Sequence, residues 1–143
     1  MSHQPVIDGF EFATAGATQE GTLPLASFPR LQDALVSDSG NVAYKVQGVR
    51  DERGRPSLRL SVRATLQLRC QRCLGPLEWP IAQRTEILLA HDEAEAARLD
   101  ADRDAEVLVA AAPLDTQTLI EDELVLALPY VARHPEGSCA PPA

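Results

Sequence analysis

From Ser57 to Arg69 apolar and polar residues alternate without a miss: Leu58, Leu60, Val62, Ala64, Leu66 and Leu68 interleave with Ser57, Arg59, Ser61, Arg63, Thr65, Gln67 and Arg69. A period of two sends the two sets to opposite sides of a strand, so the chain must build a sheet with one buried and one wet face. The run exceeds the usual strand length of about 3–10 residues, which predicts a bulge or bend within it. Upstream, Val42, Tyr44 and Val46 alternate with Ala43, Lys45 and Gln47, and the polar stretch RDERGRP joins the two runs as a hairpin with a longer loop. Downstream, Leu77, Trp79, Ile81, Ile87 and Leu89 share odd positions and predict a third strand, in which Pro80 cannot donate a ladder hydrogen bond and so marks an edge or bulge. A weaker fourth strand is read at Val107 to Ala111.

Helical spacing is scarcer. Leu25 to Val36 carries Leu25, Phe28, Leu31 and Leu35 at turn-like intervals, with Pro29 in the first turn of the expected helix. A second helix is predicted from Thr116 to Leu128, capped by Asp115 or Thr116 and stopped by Pro129. Glu121, Asp122 and Glu123 in its first half oppose the positive end of the helix dipole and are read as a solvated face. The acidic, alanine-rich stretch 92–105 reads as a mobile segment, either a loop or a frayed helix. With 143 residues and 45% hydrophobic content the chain can bury one core without disulfides. The expectation is one α+β domain over residues 1–143, an antiparallel β meander with a few helices packed on one face.

No basic leader with a continuous apolar run opens the sequence, and nowhere do about 18 apolar residues run together, so the expectation is a cytoplasmic protein with no membrane association. A net charge of -8 argues against binding nucleic acid by whole-molecule attraction to phosphate. The charge is unevenly spread, however. Residues 50–72 hold seven arginines against Asp51 and Glu52, whereas residues 92–106 hold seven acids against Arg98 and Arg103.

All three cysteines fall in two short clusters, Cys70-Gln71-Arg72-Cys73 and His134-Pro135-Glu136-Gly137-Ser138-Cys139. Three thiols and one imidazole make a complete tetrahedral set for a structural zinc ion, and Cys-x-x-Cys on a tight turn lets two sulfurs approach one metal. Cys70, Cys73, His134 and Cys139 are therefore the candidate Zn2+ ligands. Two alternatives stand beside this. Cys70 shares the parity of Leu66 and Leu68 and so also reads as a core cysteine. A dithiol redox pair is a further alternative, with Arg69 and Arg72 to stabilise a thiolate, although the motif lies between strands rather than at a helix N-terminus. His3 and His91 lack partners in the sequence and are read as solvated. No G-x-S-x-G elbow or glycine-rich phosphate loop occurs, and the expectation is a non-enzyme with no small-molecule substrate.

On the polar side of the long strand Arg59 and Arg63 are about 13 Å apart and Arg69 some 20 Å further on, about 3.3 Å per residue. With Arg72 they form the candidate contacts to RNA or a protein partner. The competing reading is a solvated face on which Glu78 and Glu86 pair with the arginines across the sheet.

CQRCLGPL at Cys70 to Leu77 and LIEDELVLALPYVARHPEGSC from Leu119 to Cys139 resemble the YceD family, the large ribosomal RNA subunit accumulation proteins, and Arg30-Leu31 is similar too. The resemblance implies a bacterial, cytoplasmic, non-enzymatic factor supporting synthesis, processing or stability of large-subunit (23S) ribosomal RNA, with a ribosomal protein or that RNA as partner. A zinc-stabilised RNA-binding module is the alternative. The acidic stretch 92–106 would on this reading imitate RNA toward a basic ribosomal protein.

Overall fold

The computed structural model describes residues 6–102 and 106–129. In chain order the elements are β1 (Val6–Ile7), α1 (Gly9–Ala15), β2 (Thr18–Pro24), two 3-10 turns (Leu25–Ser27 and Pro29–Leu31), β3 (Leu35–Ser37), β4 (Asn41–Arg50), β5 (Pro56–Arg69), β6 (Pro76–Ala90), α2 (Glu93–Asp102), β7 (Glu106–Val109), β8 (Leu114–Asp115) and α3 (Thr116–Ala127). The main sheet runs β2-β4-β5-β6-β7 with β3 also against β5, while β1 and β8 form a two-stranded ribbon. The α+β architecture and the central meander agree with the sequence reading.

β5 buries Leu58, Leu60, Val62, Leu66 and Leu68, as its alternation requires. The expected bulge is not in its ladder with β6, where the register is unbroken from Ser57 opposite Leu88 to Arg69 opposite Pro76. The extra length serves two neighbours in succession on the other edge. β4 pairs along residues 56–63 and β3 takes over at Gln67 and Leu68, with the irregularity falling in β3 between Leu35 and Ser37. Pro80 sits where β6 forms an edge, because β7 reaches only Ile87 to Ala90. β7 runs parallel to β6, a departure from a purely antiparallel meander that requires a crossover, and α2 supplies it. The acidic stretch is thus helical over Glu93–Asp102.

The helix expected from Leu25 to Val36 does not form. Pro29 pushes the residue before it out of the α region, and Phe28 is extended at φ -108° and ψ 93°, so the segment splits into two 3-10 turns. Gln32 Nε2 donates to the carbonyls of Leu25 and Phe28, satisfying acceptors that a continuous helix would have used. Both α1 and β2 lacked a sequence signal. α1 is only seven residues long, and the core side of the edge strand β2 carries Gln19, Gly21 and Leu23, so neither shows an apolar period.

The core lies between the sheet and the helices α1 and α3. α1 is capped by Asp8, which accepts from the Glu11 N–H at 3.1 Å, and crosses β4 at Gly48 so closely that an added Cβ would lie 2.1 Å from the Phe12 carbonyl oxygen. α3 begins at the Asp115 cap, which accepts from the Gln117 N–H at 3.0 Å, and buries Leu119, Ile120 and Leu124. Its far end is held by the Trp79 indole N–H, which donates to the Ala127 carbonyl at 3.0 Å. The solvated face expected for Glu121 and Glu123 is corrected: both are buried, because α3 lies flat on the molecule with partners for them on both sides. Glu121 accepts from Arg30, and Glu123 accepts from the Thr85 hydroxyl at 2.8 Å. Among the described residues no helix is long and apolar enough to cross a membrane.

Candidate functional site

Both helices that enclose the core pack on one side of the sheet, and on the other side the strands are covered at Ser57 and Leu88 but solvent-facing at Arg63, Ala82 and Arg84. The strand registers decide what gathers there. Ser61 lies opposite Lys45 on β4 and opposite Arg84 on β6, while Arg59 and Arg63 precede and follow it by two residues on its own face. Lys45, Arg59, Arg63 and Arg84 therefore surround one small hydroxyl residue. Inter-strand spacings of about 4.8 Å and a rise of about 3.3 Å per residue put each cationic Cα within about 7 Å of that of Ser61.

The surrounding floor is made of small side chains. Ala43 and Ala82 flank Arg63, and Pro80 lies opposite Thr65. Of the expected cross-strand acids, Glu86 pairs with Arg59 at 3.4 Å, whereas Glu78 stands opposite Gln67. Glu20 faces Lys45 in the register of β2 with β4. Arg59 and Arg84 also line an open depression of about 660 Å³ together with Arg50, Glu86 and Glu106.

The basic stretch 50–72 thus divides by role. Arg55 is used by the hairpin loop, where its N–H and Nε both donate to Asp51 at 2.8 Å and Arg53 N–H adds a bond of 2.9 Å. Burial works to raise the Asp51 carboxyl, but these bonds outweigh it and hold the group below the ordinary carboxylate range. Arg59 and Arg63 meet on the open face. Arg69 and Arg72 lie at the far end of β5 and on the turn beyond it, exposed and apart from the other two. Lys45 and Arg84 were missed from sequence. The parity of β6 held the signal, because Arg84 is even where Leu77, Trp79, Ile81 and Ile87 are odd, and the hairpin register then places it beside Ser61.

Cys70 and Cys73 occupy the turn between β5 and β6. The Cys70 N–H donates to the Gly75 carbonyl at 2.9 Å and the Leu74 N–H to the Cys70 carbonyl at 2.8 Å, closing the turn tightly. Leu74 adopts a left-handed φ of 63°, a conformation costly for a residue with a Cβ and one that clusters at ligand clamps. Such a turn suits two thiols converging on one ion. Cys70 is fully buried among the core side chains, as its parity also foretold, while Cys73 is half-buried. Among the described residues no group of three metal-ligating side chains forms, and His134 and Cys139 lie outside the described residues. His91 has the partners that the sequence did not reveal: its exposed ring stacks on Phe10 with centroids 3.9 Å apart, and Nδ1 lies 3.0 Å from Glu95 Oε1.

A family model described as large ribosomal RNA subunit accumulation protein YceD matches residues 58–143, more than half of the chain. The chain belongs to the YceD family. The matched part starts in β5 and takes in Arg59, Arg63 and Arg84, the Cys70 turn, α3 and the segment that carries His134 and Cys139. Lys45 lies before it. YceD membership gives the chain a role in the accumulation of large-subunit ribosomal RNA, and so an association with the ribosome or its RNA. No curated protein and no solved structure matches the chain.

Proposed function

We propose that this protein is a cytoplasmic, non-catalytic accessory factor of large-subunit biogenesis, which sustains 23S ribosomal RNA by binding that RNA or a ribosomal protein during assembly. The observation that carries this reading is the YceD match over residues 58–143. The charge distribution supports a binding role, with cations collected on the open sheet face of a chain whose net charge is -8. The test is depletion of the protein from its own cells. The ratio of large- to small-subunit ribosomal RNA should fall and recover on re-expression; a ratio unmoved by depletion would sink the proposal.

Cys70, Cys73, His134 and Cys139 are proposed to hold one structural zinc ion. The closed turn around Cys70 and the soft donor set fit such an ion. Bound zinc would supply a cross-link between the β5–β6 turn and the segment after α3, without chemistry of its own. Native mass spectrometry of the intact protein, with and without chelator, decides whether one zinc is present per chain.

A further inference from the structure

We propose that the open face of the sheet, centred on Ser61 and walled by Lys45, Arg59, Arg63 and Arg84, is a platform for the phosphate backbone of double-helical RNA. The inference rests on the reading above only for the choice of RNA as the polyanion. The site itself follows from strand register.

Four cations around a single hydroxyl are only partly offset by Glu86, paired with Arg59, and by Glu20, which faces Lys45. Among the described residues Arg59 alone of the four has an ion pair, and its partner Glu86 is half-exposed at 3.4 Å. Arg63 and Arg84 have no ion-pair partner among the described residues, although each repels the other three cations of the group. Gathering like charges is unfavourable where, as at Arg63 and Arg84, no ion pair offsets it, and a polyanion removes that cost. Arg63 and Arg84 present planar forks suited to phosphate oxygens, and Ser61 adds a short donor at the floor.

The relief of the face selects among polyanions. Its floor is made of small side chains, and among the described residues it carries no aromatic one: the chain's one Trp donates to α3, and Tyr44 is buried on the core side of β4. Single-stranded RNA is held by stacking bases on aromatic rings, whereas a duplex hides its bases and offers phosphates and shape. A cationic floor without rings fits the duplex. The acidity elsewhere then has a directional role, because exposed acids such as Glu11 on α1 and Glu93 on α2 repel RNA from other approaches and leave the basic face to engage.

The test uses the full chain and three probes: a 20-base-pair RNA duplex of mixed sequence, one of its strands alone, and polyglutamate. Duplex RNA should bind best, with affinity falling as salt rises. Arg63→Gln/Arg84→Gln should weaken duplex binding about tenfold or more and reduce the slope of log affinity against log salt by about one per arginine. Arg98→Gln on α2, the loss of one positive charge outside the group, should alter neither. All these positions are exposed, so far-UV circular dichroism should match the parent and Tm should not fall. Duplex affinity unchanged in the double variant overturns the site. Equal or tighter binding of the single strand overturns the duplex, and equal binding of polyglutamate by the same arginines makes this a face for an acidic protein. The depletion experiment is independent of these arms, so failure of the site and failure of the biogenesis role are separately visible.

Discussion

Arg30 and Glu121 are joined twice across 91 positions of sequence: the Arg30 backbone N–H donates to Glu121 Oε2 at 3.0 Å, and its Nε donates to Oε1 at 3.1 Å. One carboxylate thus caps the second 3-10 turn and anchors the side chain that follows, and Asp122 takes the remaining arm of the guanidinium. The two carboxylates hold the Arg30 pKa above its ordinary value. Glu121 is buried whereas the Asp122 side chain is about half exposed, so their removal should not be equivalent. Glu121→Ala should lower Tm clearly, because it strands a backbone donor as well as the side chain. Asp122→Ala should lower it little. Thermal unfolding of the two variants checks the order, and equal losses would show that the backbone contact contributes nothing.

Gly48 is the position at which α1 presses on the sheet. A methyl group there would lie 2.1 Å from the Phe12 oxygen and 2.7 Å from the Ala13 Cα, and both are backbone atoms that no rotamer change can move. Gly48→Ala should therefore displace α1 and cost about 3 kcal/mol, a fall in Tm of roughly 10 °C for a chain of this size. Urea unfolding of the variant measures it.

How much of this was legible in the sequence depended on whether local chemistry or distant pairing decided the outcome. β4, β5 and β6 announced themselves because each buries one face, and a period of two then has one physical meaning. α3 did so through Asp115 and Pro129, signals that act within a few residues. β2 did not, because its core side is Gln19, Gly21 and Leu23, which makes no apolar repeat. Leu25 to Val36 has the apolar spacing of a helix, but Pro29 excludes Phe28 from helical backbone, and steric exclusion outweighs a weak propensity. The candidate site was half legible. Arg59 and Arg63 share one strand and could be paired by counting, whereas Lys45 and Arg84 needed the registers of two hairpins. Glu121 and Glu123 were misread because nothing local reveals that Arg30 and Thr85 come to meet them.

Glu106 gives the protein a pH dependence of unusual sign. Desolvation at the start of β7, followed by the neighbouring Glu123 and Asp122 carboxylates, pushes its pKa above the ordinary carboxylate value. A carboxyl that holds its proton more tightly folded than unfolded costs stability as pH rises from the ordinary value through the raised one, and the cost is fully present above that window. Glu106→Gln should therefore raise the urea midpoint at neutral pH, and the gain should vanish as pH falls below the ordinary carboxylate range. Asp51 works in the opposite direction, since its depressed pKa gives stability that is lost as pH falls through it. Asp51→Asn should consequently lose stability at neutral pH and little in strong acid. Midpoints measured from acid to neutral pH separate the two contributions.

Removal of zinc should be readable at Trp79, the single tryptophan of the chain. Its indole donates to Ala127 at the end of α3, and the proposed ligands His134 and Cys139 follow α3 in sequence. If zinc ties them to the Cys70 turn, chelation should loosen that end of α3, shift the Trp79 emission and lower Tm. A ligand present at about 100 times its Kd contributes about 2.7 kcal/mol, or roughly 5–10 °C here. Cys73 is the better position for the matching substitution. Cys70 is fully buried, so a hydroxyl there would destabilise the core whether or not a metal binds, whereas Cys73 is only half-buried. Cys73→Ser should carry no zinc, and it should match the chelated parent in both Tm and emission while showing no further response to chelator. A parent protein whose Tm and Trp79 emission are unmoved by chelation, with no metal at one per chain, would remove the zinc tie and leave Cys70 as a core side chain.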